Sequence, residues 1–551
     1  MTKASDLLVR ALENEGVERI FGVPGEENLD VVESLRKSRI ELIVTRHEQA
    51  AAFMAATHGR LTGRPGVCLS TLGPGALNFT TGAAYAHLGA MPMLMLTGQK
   101  PIKSARQGRF QIVDIVGAMR PLTKMTRHIV SAASIPTLVR DAFRIASEER
   151  PGPVHLELPE DIAAESAEAP LVPPHPIDWP VAAPATVERV AGMILAAECP
   201  LLMIGAAGNR PRLVEPLSDF VRRARVPFFN TQMGKGAVTG SSDLYIGTAA
   251  LSERDYIHEA IDEADLIVAI GHDTVEKPPF LAGATGDRKL IHVGYLPASV
   301  EQVFYPDAEL VGDIGASVAA LAALLDGRIK PRRPLGALRE KILSRVNEGA
   351  DDDRFPITPQ RLVHDVRGVV PENGIVCLDN GMYKIWFARN YRTRVANTLL
   401  LDNALATMGA GLPSAIMAKL LHPGRRVLAV CGDGGFLMNS QELETSVRLG
   451  LDLVTLIIVD GAYGMIRWKQ AVDGFADFGM TFGNPDFVKY AESYGARGYQ
   501  VRAADELAPA LEAAFEAGGV HLVAAPIDYR ENIRVLVEEL ARENLAAGAR
   551  P

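Results

Sequence analysis

The amino-acid sequence predicts an α/β protein with three doubly wound, parallel-sheet domains. Short apolar segments alternate with helix-like segments along most of its 551 residues, and buried strands joined by helices are typical of parallel sheets. A proline-rich stretch and a charged, helical stretch divide this pattern into three blocks. A chain of this length is also expected to fold as more than one domain.

The first domain is predicted over residues 1–167, with strand candidates such as "GVCLSTLGPG" and the helical stretch "QAAAFMAATHGRLTG". Residues 168–186 carry many prolines, which disrupt helices and sheet ladders alike, so an extended linker is predicted there. The second domain is predicted over residues 187–330, with "PLLMIGAAG" and "ADLIVAIGHD" as strands. The third, over residues 356–551, follows the charged connector and includes "GIVCLDNG".

Composition argues against several classes of partner. The formal net charge is −9 with 22% charged residues, so nothing indicates a nucleic-acid or membrane-surface partner. The four cysteines are far apart and form no CxxC pair, which favours reduced thiols in a cytoplasm. Acidic residues near the start argue against a signal peptide, and no apolar run reaches the length of a membrane span. We therefore expect a soluble, cytoplasmic protein.

Two apolar segments of the third block each end at an acid that is followed by glycine. "VLAVCGDGG" (427–435) leads to Asp433 and "TLIIVDGAYG" (455–464) leads to Asp460, with one helical crossover between them. Because ligands gather at the carboxyl ends of parallel strands, the two acids are expected to lie close together. Close carboxylates repel each other unless a proton or cation lies between them, and Mg²⁺ prefers oxygen ligands and phosphate.

The glycines after Asp433 support the same interpretation. Gly434 and Gly435 leave the N–H groups of a helix start open, and such groups attract phosphate. A single Gly-Asp-Gly is more often only a tight turn after a strand. The second acid-glycine ending, 27 residues later, makes a metal-bound diphosphate the better interpretation.

This spacing resembles the cofactor motif of thiamine diphosphate-dependent enzymes, with Asp460 in place of the more usual asparagine. The resemblance implies pyrimidine-binding, central and diphosphate-binding domains in that order, and Mg²⁺ held by Asp433, Asp460 and the main-chain oxygen of Ala462. It also implies a set of cofactor-binding residues: Pro24, Glu48, Asn380, Gly381, Met382, Tyr383, Met408, Gly432, Asp433, Gly434, Gly435, Ala462, Tyr463, Gly464 and Met465.

Glu48, in "IVTRHEQAAAF", is the catalytic residue that the resemblance implies. The cofactor's aminopyrimidine must remove a proton from the thiazolium carbon, and a carboxyl group bonded to the pyrimidine nitrogen stabilises the tautomer that does so. Taken alone, Glu48 reads as an acid favoured by a helix dipole. Met408, in "LATMGAGLP", matches the apolar residue that bends the cofactor, although an isolated methionine would be core packing.

The resemblance is closest to acetolactate synthases, through stretches such as "RHEQAAAFMA", "TMGAGLPSAI" and "GDGGFLMNSQELET". The stretches "FVKYAESYGARG" and "IDYREN", with the acid at 460, most resemble the catabolic, flavin-independent branch. The resemblance implies decarboxylation of pyruvate and transfer of the hydroxyethyl unit to a second pyruvate, giving 2-acetolactate. FAD is not expected, because "GHDTVEKPPF" (271–280) stands where the flavin-using branch has an "RFDDRVTG"-like segment. Residues 98–116 lack the histidine pair of aldehyde-releasing decarboxylases, which favours carboligation.

Residues that contact the substrate follow from the same resemblance, although each alone would more often be packing or surface. They are Gly25, Phe110, Gln111, Ile466, Trp468 and Lys469.

Two departures concern the acceptor. Glu26 and Glu27 stand where relatives have a small residue and, in the catabolic branch, a lysine. A carboxylate there would repel an anionic acceptor by roughly 1 kcal/mol or more. "MIRWKQ" also shifts the tryptophan relative to the biosynthetic pattern "MVRQWQ".

Three alternatives therefore stay open: a neutral aldehyde acceptor, an FAD-containing biosynthetic subunit, and a non-catalytic relative. The resemblance also implies a small 2-oxo acid substrate and a homodimer or homotetramer. In such an assembly the first domain of one subunit meets the third domain of another, with the cofactor between them.

Overall fold

The computed structural model describes residues 2–103, 108–251, 255–276, 288–299, 304–330 and 333–540. Within these ranges the chain forms three six-stranded sheets, and every strand pair in them is parallel. This confirms the predicted fold class. Among the described residues, no helix combines the length and the apolar character needed to cross a membrane.

The first sheet has the strand order β3-β2-β4-β5-β7-β6, and a short antiparallel pair, β1 and β8, accompanies it. Its strands are β1 Thr2–Lys3, β2 Arg19–Gly22, β3 Glu41–Val44, β4 Gly66–Ser70, β5 Met93–Gln99, β6 Met125–His128, β7 Pro153–Pro159 and β8 Ser166–Ala167. The helices of this region are α1 Ala4–Asn14, α2 Leu29–Arg36, α3 Glu48–Thr62, α4 Gly73–Leu77, α5 Thr80–Leu88, α6 Ile115–Met119, α7 Ile135–Ser147 and α8 Glu160–Ala163. All seven residues of β5 are buried, as expected for a strand covered on both faces.

The second sheet has the order β11-β10-β9-β12-β13-β14, so the strand order reverses between β9 and β12. Its strands are β9 Pro200–Ile204, β10 Phe228–Asn230, β11 Tyr245–Thr248, β12 Leu266–Ile270, β13 Lys289–Gly294 and β14 Ala308–Val311. Its helices are α9 Pro184–Ala196, α10 Val214–Ala224, α11 Ile257–Glu263 and α12 Ile314–Leu325. The predicted linker is free of helix and strand over residues 168–183, and α9 begins at its last proline.

The third sheet has the order β16-β15-β17-β18-β20-β19. Its strands are β15 Ile375–Leu378, β16 Leu399–Leu400, β17 Val427–Gly432, β18 Leu453–Val459, β19 Arg497–Gln500 and β20 Val520–Pro526. The helices are α13 Gly336–Val346, α14 Pro359–Val369, α15 Tyr383–Asn390, α16 Gly411–Leu421, α17 Asp433–Phe436, α18 Glu442–Arg448, α19 Gly464–Val472, α20 Phe487–Ser493, α21 Leu507–Ala517 and α22 Glu531–Ile533. Strands β17 and β18 are adjacent, with Gly432 opposite Ile458.

The described residues form two compact units that do not follow the three sheets. The first contains residues 2–178 together with 405–421 and 439–449, and the second contains the rest. Within the first unit α3 packs against α16, where Thr57 Oγ1 donates to Ser414 Oγ at 2.9 Å. The domain limits 1–167, 187–330 and 356–551 stay predictions.

A buried lysine follows β10 in the second unit. Lys235 is 3% exposed, and its Nζ donates to Thr248 Oγ1 at 2.9 Å and to the Tyr245 hydroxyl at 3.4 Å. Burial, with Arg392 nearby, lowers the pKa of Lys235 to about 7. Free lysine titrates near pH ~10.4, so between these two values the unfolded chain binds a proton that the folded chain does not. Folding stability therefore rises with pH across that window.

We expect Lys235→Met to stabilise the protein at pH 7 and to flatten this pH dependence. The hydroxyls of Tyr245 and Thr248 keep each other as partners at 2.9 Å, so the variant loses a costly buried amine and leaves no orphaned hydroxyl. Urea unfolding at neutral pH and near pH ~10 measures the effect. Lys330→Met, at an exposed position, is the matched control. A buried lysine that stabilises the fold would give the opposite sign at neutral pH.

Candidate functional site

Asp433 starts α17 directly after β17 and is 1% exposed. Its Oδ1 accepts the N–H of Gly434 at 2.9 Å, and its Oδ2 accepts the N–H of Gly461 at 2.8 Å. Asn484 Nδ2 also donates to Oδ2, at 2.7 Å. The carboxylate of Asp433 is therefore directed toward the segment that follows β18.

Asp460 lies in that segment, and the structure brings it beside Asp433. Burial, followed by the neighbouring Asp433 carboxylate, raises the pKa of Asp460 to about 7. A Cβ on Gly464 would lie 2.4 Å from Asp460 Oδ2, so glycine is required where α19 begins. The two acids are neighbours because β17 and β18 pair in parallel and end side by side. Asp433 directly follows β17, and Asp460 directly follows β18.

This donor set fits a magnesium ion. Asp433 is buried and Asp460 is half-buried, and two such neighbouring carboxylates are stabilised by a hard divalent cation, which accepts carboxylate and carbonyl oxygens as ligands. No group of three or more His, Cys, Asp or Glu side chains in the described part of the chain could hold a metal. A cation here would therefore combine the two aspartates with uncharged oxygens, of which the buried main chain of Ala462 offers one.

Asn484 also lies beside Asp433, and the sequence alone did not predict it. Its Oδ1 is buried and has no hydrogen-bond donor among the described residues, an unsatisfied oxygen next to Asp433 that a cation or its bound water would satisfy. Asn484 lies in the irregular segment before α20, in "FGNPDF", 51 residues from Asp433. The alternation of strand residues and the spacing of helix residues do not predict contacts made by a residue in such a segment.

The other predicted cofactor-binding residues of the second unit lie at or after the carboxyl ends of β15, β17 and β18. They are Asn380, Gly381, Met382, Tyr383, Gly432, Gly434, Gly435, Ala462, Tyr463, Gly464 and Met465.

At two of these positions an aromatic ring lies where the side chain of a larger residue would be. The N–H of Gly432 donates to the Tyr383 hydroxyl at 2.9 Å, and a Cβ on Gly381 would lie 2.5 Å from the Tyr383 ring. A Cβ on Gly434 would lie 3.0 Å from the ring of Tyr463. The glycines therefore let these rings approach the strand ends closely.

The predicted substrate residues Ile466, Trp468 and Lys469 lie on α19, a helix with no buried residue. Lys469 Nζ lies 4.8 Å from the Trp468 ring, and Ile466 is exposed. Trp468 is half-buried against the apolar core of the second unit, whereas Ile466 and Lys469 are exposed. All three side chains lie on a helix that starts shortly after Asp460.

Glu48 begins α3 in the first compact unit and is 8% exposed. Asn78 Nδ2 donates to Glu48 Oε2 at 2.9 Å, and a Cβ on Gly75 would lie 3.0 Å from Glu48 Oε1. One carboxyl oxygen is thus anchored by an amide, and the other lies against a position where only glycine fits. Asn78 was not predicted, since in "TLGPGALN" it reads as an ordinary turn residue.

The start of α3 is held by a second buried acid of the same unit. Glu442 Oε1 accepts the N–H of Arg46 at 3.0 Å, and Thr445 Oγ1 donates to Glu442 Oε2 at 2.6 Å. Burial raises the pKa of Glu442 to about 7. Asn439 Nδ2 adds a hydrogen bond to Gln49 Oε1 at 2.9 Å. The position of Glu48 therefore depends on residues more than 390 positions away.

The remaining predicted residues of the first unit are less enclosed. Pro24 and Gln111 are exposed, Phe110 is 67% exposed, and Met408 is half-buried shortly before α16. Gly25 contacts Thr71, whose Cβ would lie 2.4 Å from a Cβ on Gly25.

The repulsion expected from Glu27 is offset in the structure. Glu26 is exposed, but Glu27 is buried and forms an ion pair with Lys100 at 2.5 Å. Its negative charge is therefore compensated locally. The partner comes from a different strand end, 73 residues away, so the local sequence around Glu27 gave no sign of it.

Comparisons with known proteins support the cofactor interpretation. Residues 2–118 match the family model of the thiamine pyrophosphate enzyme N-terminal TPP binding domain, residues 187–321 its central domain, and residues 379–525 its C-terminal TPP binding domain. The acetolactate synthase of Bacillus subtilis (strain 168) is 32% identical over 98% of this chain and 96% of its own length. The chain belongs to the thiamine diphosphate enzyme family.

Other relatives of this thiamine diphosphate enzyme carry similar names. The catabolic acetolactate synthase of Raoultella terrigena is 35% identical, over 96% of this chain and 95% of the relative. A probable acetolactate synthase large subunit of Methanocaldococcus jannaschii is 34% identical, over 96% of this chain and 92% of the relative. Three matching domains and these relatives identify a thiamine diphosphate-dependent, acetolactate synthase-like enzyme.

Proposed function

We propose that the enzyme uses thiamine diphosphate and Mg²⁺ to decarboxylate pyruvate and to join the two-carbon unit to a second pyruvate, giving 2-acetolactate. The Asp433–Asp460 pair at adjacent strand ends carries the metal part of this proposal. The substrate part is supported by near full-length similarity to proteins named acetolactate synthase, one of them catabolic.

Each residue then has a defined task. Asp433, Asp460 and the main-chain oxygen of Ala462 would hold Mg²⁺, which in turn binds phosphate oxygens. Glu48 would hold a proton between its carboxyl group and the aminopyrimidine nitrogen, with Asn78 fixing the orientation of the carboxyl group. Met408 would support the bent shape of the cofactor. When bound, thiamine diphosphate supplies the nucleophilic carbon and the electron sink for loss of CO₂.

We further propose that this reaction needs no FAD. At the reversal of strand order in the second sheet, where dinucleotides bind in such folds, Glu276 Oε1 accepts the N–H of Ala206 at 2.9 Å. Thr231 donates its hydroxyl to the other oxygen of Glu276. A built-in carboxylate thus uses a main-chain N–H of the kind that binds pyrophosphate. The last four residues of the segment 271–280, which suggested the same conclusion, lie outside the described residues.

Product analysis tests the proposal. We expect purified protein with thiamine diphosphate, Mg²⁺ and pyruvate, and without added flavin, to form 2-acetolactate. Removal of the metal with a chelator should abolish the reaction, because the diphosphate is anchored through the ion, and added Mg²⁺ should restore it. Release of acetaldehyde alone would contradict carboligation, and activity that requires added flavin would favour the biosynthetic type.

A second acceptor is favoured by one observation. Glu26 is exposed beside the predicted substrate residue Gly25, and its charge disfavours an anionic acceptor, so a neutral aldehyde is the alternative.

The proposal also includes a homodimer or homotetramer in a cytoplasm, acting on a small 2-oxo acid and not on nucleic acid or membranes. Large exposed apolar side chains, such as Phe110, Phe475 and Phe478, support burial in an assembly.

A further inference from the structure

A buried ion pair lies at the carboxyl edge of the first sheet, in the unit that contains Glu48. Lys100 Nζ donates to Glu27 Oε1 at 2.5 Å, and the Thr71 hydroxyl donates to Glu27 Oε2 at 2.5 Å. The side chains of Lys100 and Glu27 are 8% and 4% exposed. We refer to Glu27, Thr71 and Lys100 as the Lys100 cluster.

Three adjacent strands position the Lys100 cluster. Thr71 directly follows β4, Lys100 directly follows β5, and Glu27 lies in the loop after β2. Gln99 Oε1 accepts the N–H of Lys100 at 2.9 Å while Gln99 Nε2 donates to Glu157 at 3.0 Å, so the main chain at the lysine is held as well. Carboxyl ends of neighbouring parallel strands are where α/β proteins bind ligands.

The ammonium end of the cluster faces its more exposed side. Lys100 Nζ lies 5.9 Å from the centroid of the Phe110 ring, and Phe110 is largely exposed. Hydrogen bonding to Glu27 raises the pKa of Lys100, with smaller contributions from Glu160 and Glu26. Burial alone would raise the pKa of Glu27, but its hydrogen bonds lower it below its usual value. Both partners are therefore charged at neutral pH.

The Lys100 cluster and Glu48 share a neighbour. A Cβ on Gly75 would lie 3.0 Å from Glu48 Oε1 and 3.0 Å from Thr71 Cγ2. Thr71 also contacts Gly25, one of the residues predicted to meet the substrate. The cluster therefore adjoins the carboxyl group to which we assign cofactor activation.

We propose that Lys100 determines acceptor specificity by binding the carboxylate of the acceptor 2-oxo acid, and that Glu27 holds the ammonium in place for this. The proposal rests on the proposed function, because it concerns the second substrate of that reaction. An ammonium carries three N–H donors, and Glu27 accepts one of them. The largely exposed Phe110 ring, 5.9 Å from Lys100 Nζ, marks the side from which an acceptor carboxylate would reach the ammonium.

The position of Lys100 fits this role. Its positive charge reaches Glu27 from a neighbouring strand end, so the pair places one ammonium at the carboxyl edge of the sheet. A purely structural ion pair would not discriminate between charged and neutral acceptors, so the two roles can be separated by experiment.

Competition between two acceptors tests the proposal. The enzyme with thiamine diphosphate and Mg²⁺ is given pyruvate together with propanal, and the ratio of 2-acetolactate to 3-hydroxypentan-2-one is measured. Both products draw on the same donor step, so their ratio reports only acceptor choice. We expect Lys100→Met to lower this ratio about tenfold or more, equivalent to about 1.4 kcal/mol. Glu27→Gln should raise it, because the amide oxygen can still accept the hydrogen bond that holds the ammonium but no longer neutralises its charge.

Further variants keep the test decisive. The double variant Glu27→Gln/Lys100→Met removes both charges and leaves no unpaired buried acid, and it should lower the ratio as Lys100→Met does. Lys103→Met, at an exposed lysine three residues away that pairs with Glu165, is the control and should keep the wild-type ratio. An unchanged ratio in the double variant overturns the role of Lys100. Absence of both products from the wild type would instead overturn the proposed function.

Discussion

Glu48→Gln is expected to lower turnover of pyruvate by at least about 100-fold, the range that loss of a general acid or base typically costs. The amide keeps the size of the side chain and can still accept the hydrogen bond from Asn78 Nδ2. It cannot hold the proton that the aminopyrimidine ring requires. Turnover is measured as 2-acetolactate formed per enzyme at saturating pyruvate, thiamine diphosphate and Mg²⁺.

The cofactor should still bind to the Glu48→Gln variant. Thiamine diphosphate with Mg²⁺ should raise the midpoint of thermal unfolding of the variant and of the wild type alike. A ligand that binds the folded state and not the unfolded state stabilises the folded state. Glu18→Gln, at a side chain that is 84% exposed, is the control and should retain full activity. A Glu48→Gln variant with wild-type turnover would remove Glu48 from the mechanism.

Asp433→Ala is expected to abolish the Mg²⁺-dependent binding of thiamine diphosphate. Loss of an outer-shell partner of a metal typically costs roughly 10–100-fold in affinity, and a buried carboxylate that contacts the ion directly should cost more. The variant also removes the acceptor for three N–H groups, from Gly434, Gly461 and Asn484. Isothermal titration of thiamine diphosphate with and without Mg²⁺ measures the loss.

Asp460 offers a sharper comparison, because a neutral oxygen donor can be placed at the same position. Asp460→Asn removes the repulsion from Asp433 but keeps an oxygen, so it should bind Mg²⁺ and thiamine diphosphate nearly as well as the wild type. Asp460→Ala should bind both much more weakly. Asp505→Asn, at an exposed position, controls for net charge. Equal losses in the Asn and Ala variants would show that position 460 does not supply a ligand oxygen.

The sequence predicts the fold class and the Asp433–Asp460 contact because both follow from local rules. Buried apolar runs identify strands, a crossover makes neighbouring strands parallel, and parallel strands bring their carboxyl ends to one edge. Residues placed by contacts between distant turns escape such rules. Asn78, Asn484 and Lys100 lie in ordinary turn or strand-end sequences, and only the folded chain brings them to Glu48, Asp433 and Glu27.

The same limit applies to charge. The sequence shows the negative charge of Glu27, but it does not show that an ion pair compensates this charge. The partner, Lys100, comes from the end of another strand. Sequence alone also divides the chain at its linkers, between residues 167 and 187 and before residue 356. The first compact unit joins residues 2–178 with residues 405–421 and 439–449, an association that follows from buried helix faces and that linker composition does not reveal.

The packing of α3 against residues 405–421 limits how this protein can be dissected. Ten of the fifteen residues of α3 are buried, and Thr57 and the N–H of Arg46 donate hydrogen bonds to residues encoded far downstream, Ser414 and Glu442. A recombinant fragment that stopped at the proline-rich segment would present that apolar helix to solvent and would be prone to aggregation. During synthesis, likewise, the N-terminal sheet must wait for most of the polypeptide to emerge before α3 is covered.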